Sequence, residues 1–115
     1  MDRKKELKEA YKNMKFDMGV FMLKCNATGK VYLGADKNIK AALNGILFQL
    51  NMGTYPPNRR LLNDWKEWGE KGFTIETLEL LKYDEDESKT DYSEELAILK
   101  FIWKERFENV EDIKK

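Results

Sequence analysis

Gly19-Val20-Phe21-Met22-Leu23-Lys24-Cys25-Asn26-Ala27-Thr28-Gly29-Lys30-Val31-Tyr32-Leu33-Gly34 is the stretch that decides the fold. Gly19 to Cys25 is an apolar run rich in strand formers. Asn26 to Gly29 has turn chemistry, because Asn and Gly tolerate positive φ. Lys30 to Leu33 then reads as the return strand of a hairpin. Cys25 is the one cysteine, so it has no intrachain partner, and its apolar setting predicts a small core residue in a reducing cytoplasm.

Helical periodicity follows the hairpin. Asp36 is placed to cap a helix over 37–50, with Ile39, Ala42, Leu43, Ile46, Leu47 and Leu50 on one stripe. The segment 51–58 holds two prolines and a glycine, which stop both helix and ladder. Asn58 is placed to cap a second helix carrying Leu61, Leu62, Trp65 and Trp68, which Gly69 and Gly72 end. Residues 73–81 read as a third strand and 82–91 as a polar, acidic connector. Ser93 starts a last helix reaching Phe107, with Glu94 and Glu95 at the positive end of its dipole. Ahead of the hairpin, 2–13 read as a charged amphipathic helix with Leu7, Ala10, Tyr11 and Met14 on one face. The expected division is an N-terminal helix over 1–17, a domain over 18–107 and a loose tail over 108–115.

Composition narrows the function. Hydrophobic residues make up 42% and charged residues 37%, which suits one folded domain. Lys+Arg and Asp+Glu both number 21, so any nucleic-acid contact rests on local patches rather than on overall charge. No apolar run approaches the ~20 residues of a membrane span, and the charged start MDRKKELKEA predicts no signal peptide. Cytoplasmic location is the expectation. Histidine is absent, which excludes His-based triads, His-ligated zinc and a His general base. Catalysis would fall to carboxylates, Tyr, Lys or Arg.

The paired tripeptides Gly19-Val20-Phe21 and Tyr32-Leu33-Gly34 resemble those that name the GIY-YIG nuclease family. The stretch Asn58-Arg59-Arg60-Leu61-Leu62-Asn63-Asp64-Trp65, then Gly69, Phe73 and Glu76-Thr77-Leu78-Glu79, resembles the family's middle section. The resemblance runs from Met18 to Phe107. It implies an α+β, GIY-YIG endonuclease-like fold: a small three-stranded antiparallel sheet flanked by helices, here with an added N-terminal helix.

The resemblance also assigns chemistry, position by position. Phe21 stands where the family has a Tyr that helps deprotonate the attacking water. Tyr32 keeps the second Tyr, either as a catalytic hydroxyl or as a strand aromatic with its hydroxyl at the surface. Ala42 stands where the family has an Arg, a group worth ~10³–10⁵-fold in comparable phosphoryl-transfer roles. Ile46 and Tyr55 fall at two family His positions. Lys100, three residues before Trp103, falls at the metal-binding Glu, and an ammonium does not ligate Mg²⁺. The family's late Asn has no match in the tail.

Three readings follow. The resemblance implies foremost a domain without catalytic activity that binds nucleic acid or protein; Arg59, Arg60, Lys66 and Lys71 form its nucleic-acid patch. The second is an active metal-dependent endonuclease with relocated residues, using Tyr32, Arg59 or Arg60, and Glu94 or Glu95, and Mg²⁺ or another divalent metal enters only there. The third is a structural protein-interaction domain with no nucleic-acid contact. No other cofactor, no resident metal site and no membrane partner is expected.

Overall fold

The hairpin forms the centre of the sheet. A computed structural model describes residues 16–114, and the expected N-terminal helix lies almost wholly outside them. Strand β1 (Gly19–Cys25) pairs antiparallel with β2 (Val31–Asp36), setting Phe21 opposite Gly34 and Leu23 opposite Tyr32. Gly29 in the turn has φ 77°, the conformation that favours glycine. On its other side β1 pairs antiparallel with β3 (Phe73–Leu80), with an irregularity between Val20 and Phe21. The two backbones come close there: a Cβ on Gly19 would lie 2.0 Å from the carbonyl oxygen of Glu79. Only glycine fits at that position.

The sheet has a fourth strand, which corrects the three-stranded antiparallel expectation. β4 (Val110–Asp112) pairs parallel with β2, giving the mixed order β3-β1-β2-β4. It arises from residues read as a loose tail. Three residues are too few for a periodic signal, yet Glu111 and Ile113 are buried while Val110 and Asp112 are half-buried, the alternation of a strand.

Helices cover both faces. Helix α1 (Ile39–Asn51) and helix α2 (Arg59–Trp68) pack on the face that carries Phe21, Leu23, Cys25 and Tyr32. The α1 stripe is the expected one: Ile39, Ile46 and Leu50 are buried, with Ala42, Leu43 and Leu47 packed beside them. Its cap is Asn38, whose side chain accepts from the Ala41 amide, not Asp36. Asp36 instead accepts from the Asn38 amide, forming the turn that leads in. Asn58 caps α2 as expected. Trp65 is buried against Phe73, its indole donating to Asn51, and Cys25 is buried as a free thiol.

Helix α3 (Ser93–Lys104) covers the opposite face, where Val20, Met22, Val31 and Leu33 meet Leu99, Trp103 and Phe107. It ends short of the expected Phe107, because the chain must turn there to return as β4; Trp103 and Phe107 stack across that turn. Among the described residues no helix is long and apolar enough to cross a membrane.

Candidate functional site

The alternation of β1 and β2 aims Phe21 and Gly34 the same way, toward α1. A cleft of about 150 Å³ opens there, lined by Phe21, Gly34, Asp36, Ala42, Ile46 and Lys100 among others. Four positions to which the resemblance assigned chemistry, Phe21, Ala42, Ile46 and Lys100, therefore share one cleft. Phe21, Ala42 and Ile46 present a phenyl ring, a methyl group and a branched alkyl chain to it, while Asp36 and Lys114 add a carboxylate and a second ammonium to its lining. The phenyl ring presses on Gly34, where an added Cβ would lie 2.6 Å from Cζ of Phe21. Opposite them, the Lys100 ammonium lies 3.4 Å from Oδ1 of Asp112, and Lys104 lies 3.4 Å from the second oxygen.

These side chains do not suit a divalent cation at the Lys100 wall. Lys100 is itself a cation, and the nearby Asp112 faces two ammonium groups. Among the described residues no three His, Cys, Asp or Glu side chains gather as a metal-holding group.

Tyr55 and Tyr32 lie elsewhere. Tyr55 is buried in the core with its hydroxyl lacking a hydrogen-bond partner among the described residues, and burial raises its pKa. The Tyr32 ring is wholly buried, and its hydroxyl donates to Oδ2 of Asp64 at 2.6 Å. Burial first, then that bond, pushes its pKa up, so the phenol stays protonated. Tyr32 borders a second groove with Thr28, Lys30, Arg60, Asn63, Asp64 and Asn109.

The second groove is braced by a residue that the sequence does not single out. Glu111 on β4 is buried, with Lys30 at 2.7 Å and Arg60 at 3.4 Å from its Oε2. Asn58 donates to its Oε1 at 3.0 Å and to the Asp112 carbonyl at 2.9 Å. One carboxylate thus ties β4 to the hairpin and to the start of α2. The run Val110-Glu111-Asp112-Ile113 has no apolar–polar alternation, so the sequence holds no local signal for it.

The remaining candidates fall on surfaces. Arg59 and Lys66 are exposed on α2, seven residues apart and hence on one helical face, and Lys71 is exposed in the 3₁₀ turn over 70–72. The relocated endonuclease set is not drawn into either cavity as a whole: Tyr32 and Arg60 border the second groove, Glu94 is exposed on the first turn of α3, and Glu95 pairs with Lys89 at 2.6 Å. Trp68 is exposed, and Trp103 is half-buried and donates to Glu79.

No protein-family model matches the chain, and no curated protein matches it by sequence. Solved structures do. The catalytic domain of the homing endonuclease I-TevI aligns with a TM-score of 0.65 at 20% identity, over 85% of this chain and 99% of that one. A mutant of the catalytic domain of intron endonuclease I-TevI aligns with a TM-score of 0.52 at 22% identity, over 62% of this chain and 71% of that one. Likeness at such identity speaks for architecture, and activity has to be argued from the site. The α+β chain described here is therefore built on the GIY-YIG nuclease fold of the I-TevI catalytic domain.

Proposed function

We propose that this chain is a GIY-YIG-fold domain that binds without cutting, its partner a nucleic acid or a protein. The observation that carries this reading is the composition of the first cleft. Phe21, Ala42 and Ile46 offer no proton acceptor, no guanidinium and no imidazole, and Lys100 brings a cation to the remaining wall. Phosphodiester cleavage needs charge stabilisation and a positioned nucleophile, supplied by groups that act as a unit. Four substitutions at one cleft leave binding and positioning as the retained capacities.

The nucleic-acid surface in this reading is the exposed face of Arg59 and Lys66 with Lys71 beyond it. Arg60 contributes less, because Glu111 already engages it. Two assays on the full chain test the proposal. Supercoiled plasmid incubated with Mg²⁺ or Mn²⁺ stays intact; metal-dependent nicking that Tyr32→Phe abolishes would overturn the reading. Anisotropy of a labelled DNA duplex, titrated at several salt concentrations, assigns the partner. Salt-sensitive binding that Arg59→Glu with Lys66→Glu weakens assigns nucleic acid. Absence of binding at low salt to a DNA duplex, to single-stranded DNA and to RNA removes nucleic acid and favours a protein partner.

A further inference from the structure

Strand β3 is an outer edge of the sheet, and among the described residues no strand pairs with its far side. It runs for eight residues, against three for β4 at the opposite edge. Sheet edges are commonly blunted by proline, by lysine or by shortness. Phe73–Leu80 has no proline and no lysine, and it is not short. Its irregularity falls at Leu78, opposite the step between Val20 and Phe21, which leaves 73–77 as a regular stretch.

The register fixes which backbone groups that edge presents. At one end of the β1–β3 ladder the Asn26 amide donates to the Gly72 carbonyl, and at the other the Leu81 amide donates to the Met18 carbonyl. Bonded pairs alternate with unbonded ones in an antiparallel ladder. Thr74 and Glu76 therefore turn their amides and carbonyls toward β1, while Phe73, Ile75 and Thr77 turn theirs outward. The Glu70 carbonyl takes the Phe73 amide. What the edge offers is the amides of Ile75 and Thr77 and the carbonyls of all three. Side-chain charge then selects what can pair there. A second copy centred on Glu76 would set that carboxylate against its own counterpart, and like charges directly opposite are destabilising. Centring on Ile75 sets Glu76 against the neutral Thr74 and Phe73 against Thr77. Followed outward, the same register brings exposed Glu79 toward exposed Lys71 of the other copy. Ile75, half-buried at the margin of the core, meets its counterpart.

We propose that two copies of this chain join through β3, antiparallel about a two-fold axis at Ile75, so that their sheets run on as one. Ile75 exchanges amide and carbonyl bonds with its counterpart, and each Thr77 amide donates to the other copy's Phe73 carbonyl. The contact is isologous, and each Glu79 answers the Lys71 of the other copy. The inference is independent of whether the first cleft cuts or binds.

Sedimentation velocity over a range of protein concentrations, paired with hydrogen exchange, tests it. The unaltered chain shifts from monomer to dimer as its concentration rises, and the Ile75 and Thr77 amides slow in step with the dimer fraction. Thr77→Pro removes a donor whose amide faces away from β1, so the strand keeps its pairing within the monomer. Self-association weakens by roughly ten-fold or more, because the bond is lost on both sides of the axis. Lys71→Glu, in the exposed turn outside the strand, weakens it as well, and adding Glu79→Lys restores it. A monomer at every concentration overturns the proposal, and so does a dimer that neither Thr77→Pro nor Lys71→Glu weakens. A dimer that Phe101→Glu disperses in their place also overturns it, because the contact would then lie on the exposed side of α3. Protection of the Ile75 amide that does not vary with concentration overturns it too, since the edge would be covered within one copy.

Discussion

The Phe21 ring fills the space that a side chain at position 34 would need, since a Cβ on Gly34 would lie 2.6 Å from Cζ of Phe21. The two tripeptides that mark the fold thus interlock across the hairpin, Phe21 being the direct cross-strand partner of Gly34. The glycine is required by packing, as its φ lies outside the positive range.

That interlock predicts a coupled pair. Gly34→Ala forces the ring aside and lowers stability by about 1–3 kcal/mol. Phe21→Leu shortens the side chain and recovers part of the loss in the double variant. Urea denaturation of the two single variants and the double variant measures the coupling, expected above about 0.5 kcal/mol. Additive losses would show that the ring moves away freely.

Lys100→Glu is expected to change the metal chemistry of the first cleft. The substitution places a carboxylate beside Asp112, which keeps only Lys104 of its two ammonium neighbours. Calorimetric titration with Mn²⁺ then shows binding that the unaltered chain lacks. The stability cost is near 1 kcal/mol or less, because the Lys100–Asp112 pair is about 30% exposed on each side. Plasmid cleavage does not appear, since Phe21 and Ala42 are unchanged.

Tyr32 predicts a loss of stability at high pH. Its pKa is raised in the fold, by burial first and the Asp64 bond second, above the ordinary value of 10.0. Below pH 10 the phenol is protonated in both states and its contribution is complete. Above pH 10 the unfolded chain releases the proton while the folded chain keeps it, so stability falls as pH rises, by up to about 1.4 kcal/mol per pH unit. Tyr32→Phe costs about 1–2 kcal/mol at neutral pH through the lost bond to Asp64, and the difference between the two proteins shrinks above pH 10. Thermal melts from pH 8 to 11 read both effects. A difference that does not shrink contradicts the assignment.

Glu111→Ala strips the second groove of its central acid. Lys30 is left with its side chain only 19% exposed and without that partner. The expected loss is about 2–4 kcal/mol, toward the range for breaking a buried pair. Glu111→Gln, which retains an acceptor for Asn58, costs less. Guanidinium denaturation ranks the two, and equal losses would assign the whole effect to the lost charge and none to packing or the Asn58 bond.

Much of the fold was legible because its signals are local. The hairpin rests on an apolar run, a turn and a second run, all within sixteen residues. The α1 stripe and the Asn58 cap are periodic or positional signals of the same kind. The α1 cap is ambiguous in sequence because Asp36 and Asn38, two good capping residues, stand two apart, and only the turn geometry decides between them. β4 was hidden because its stability comes from β2, far back in the chain. For the same reason nothing near Glu111 announced that Lys30, Asn58 and Arg60 converge on it. Of the positions that the resemblance names, Phe21, Ala42, Ile46 and Lys100 line one cleft, while Tyr32 and Tyr55 lie outside it. The second groove was not legible, because Asp64 and Glu111 have their partners in distant segments.

The parallel pairing of Val31 with Val110 joins segments separated by most of the polypeptide, so it carries one of the long loop closures of the fold. Lys30 and Arg60, thirty residues apart, are neutralised by one acid that arrives only with that closure. The electrostatic character of this edge is thus set by the last few residues of the chain, and any change that unseats them uncovers two cations at once.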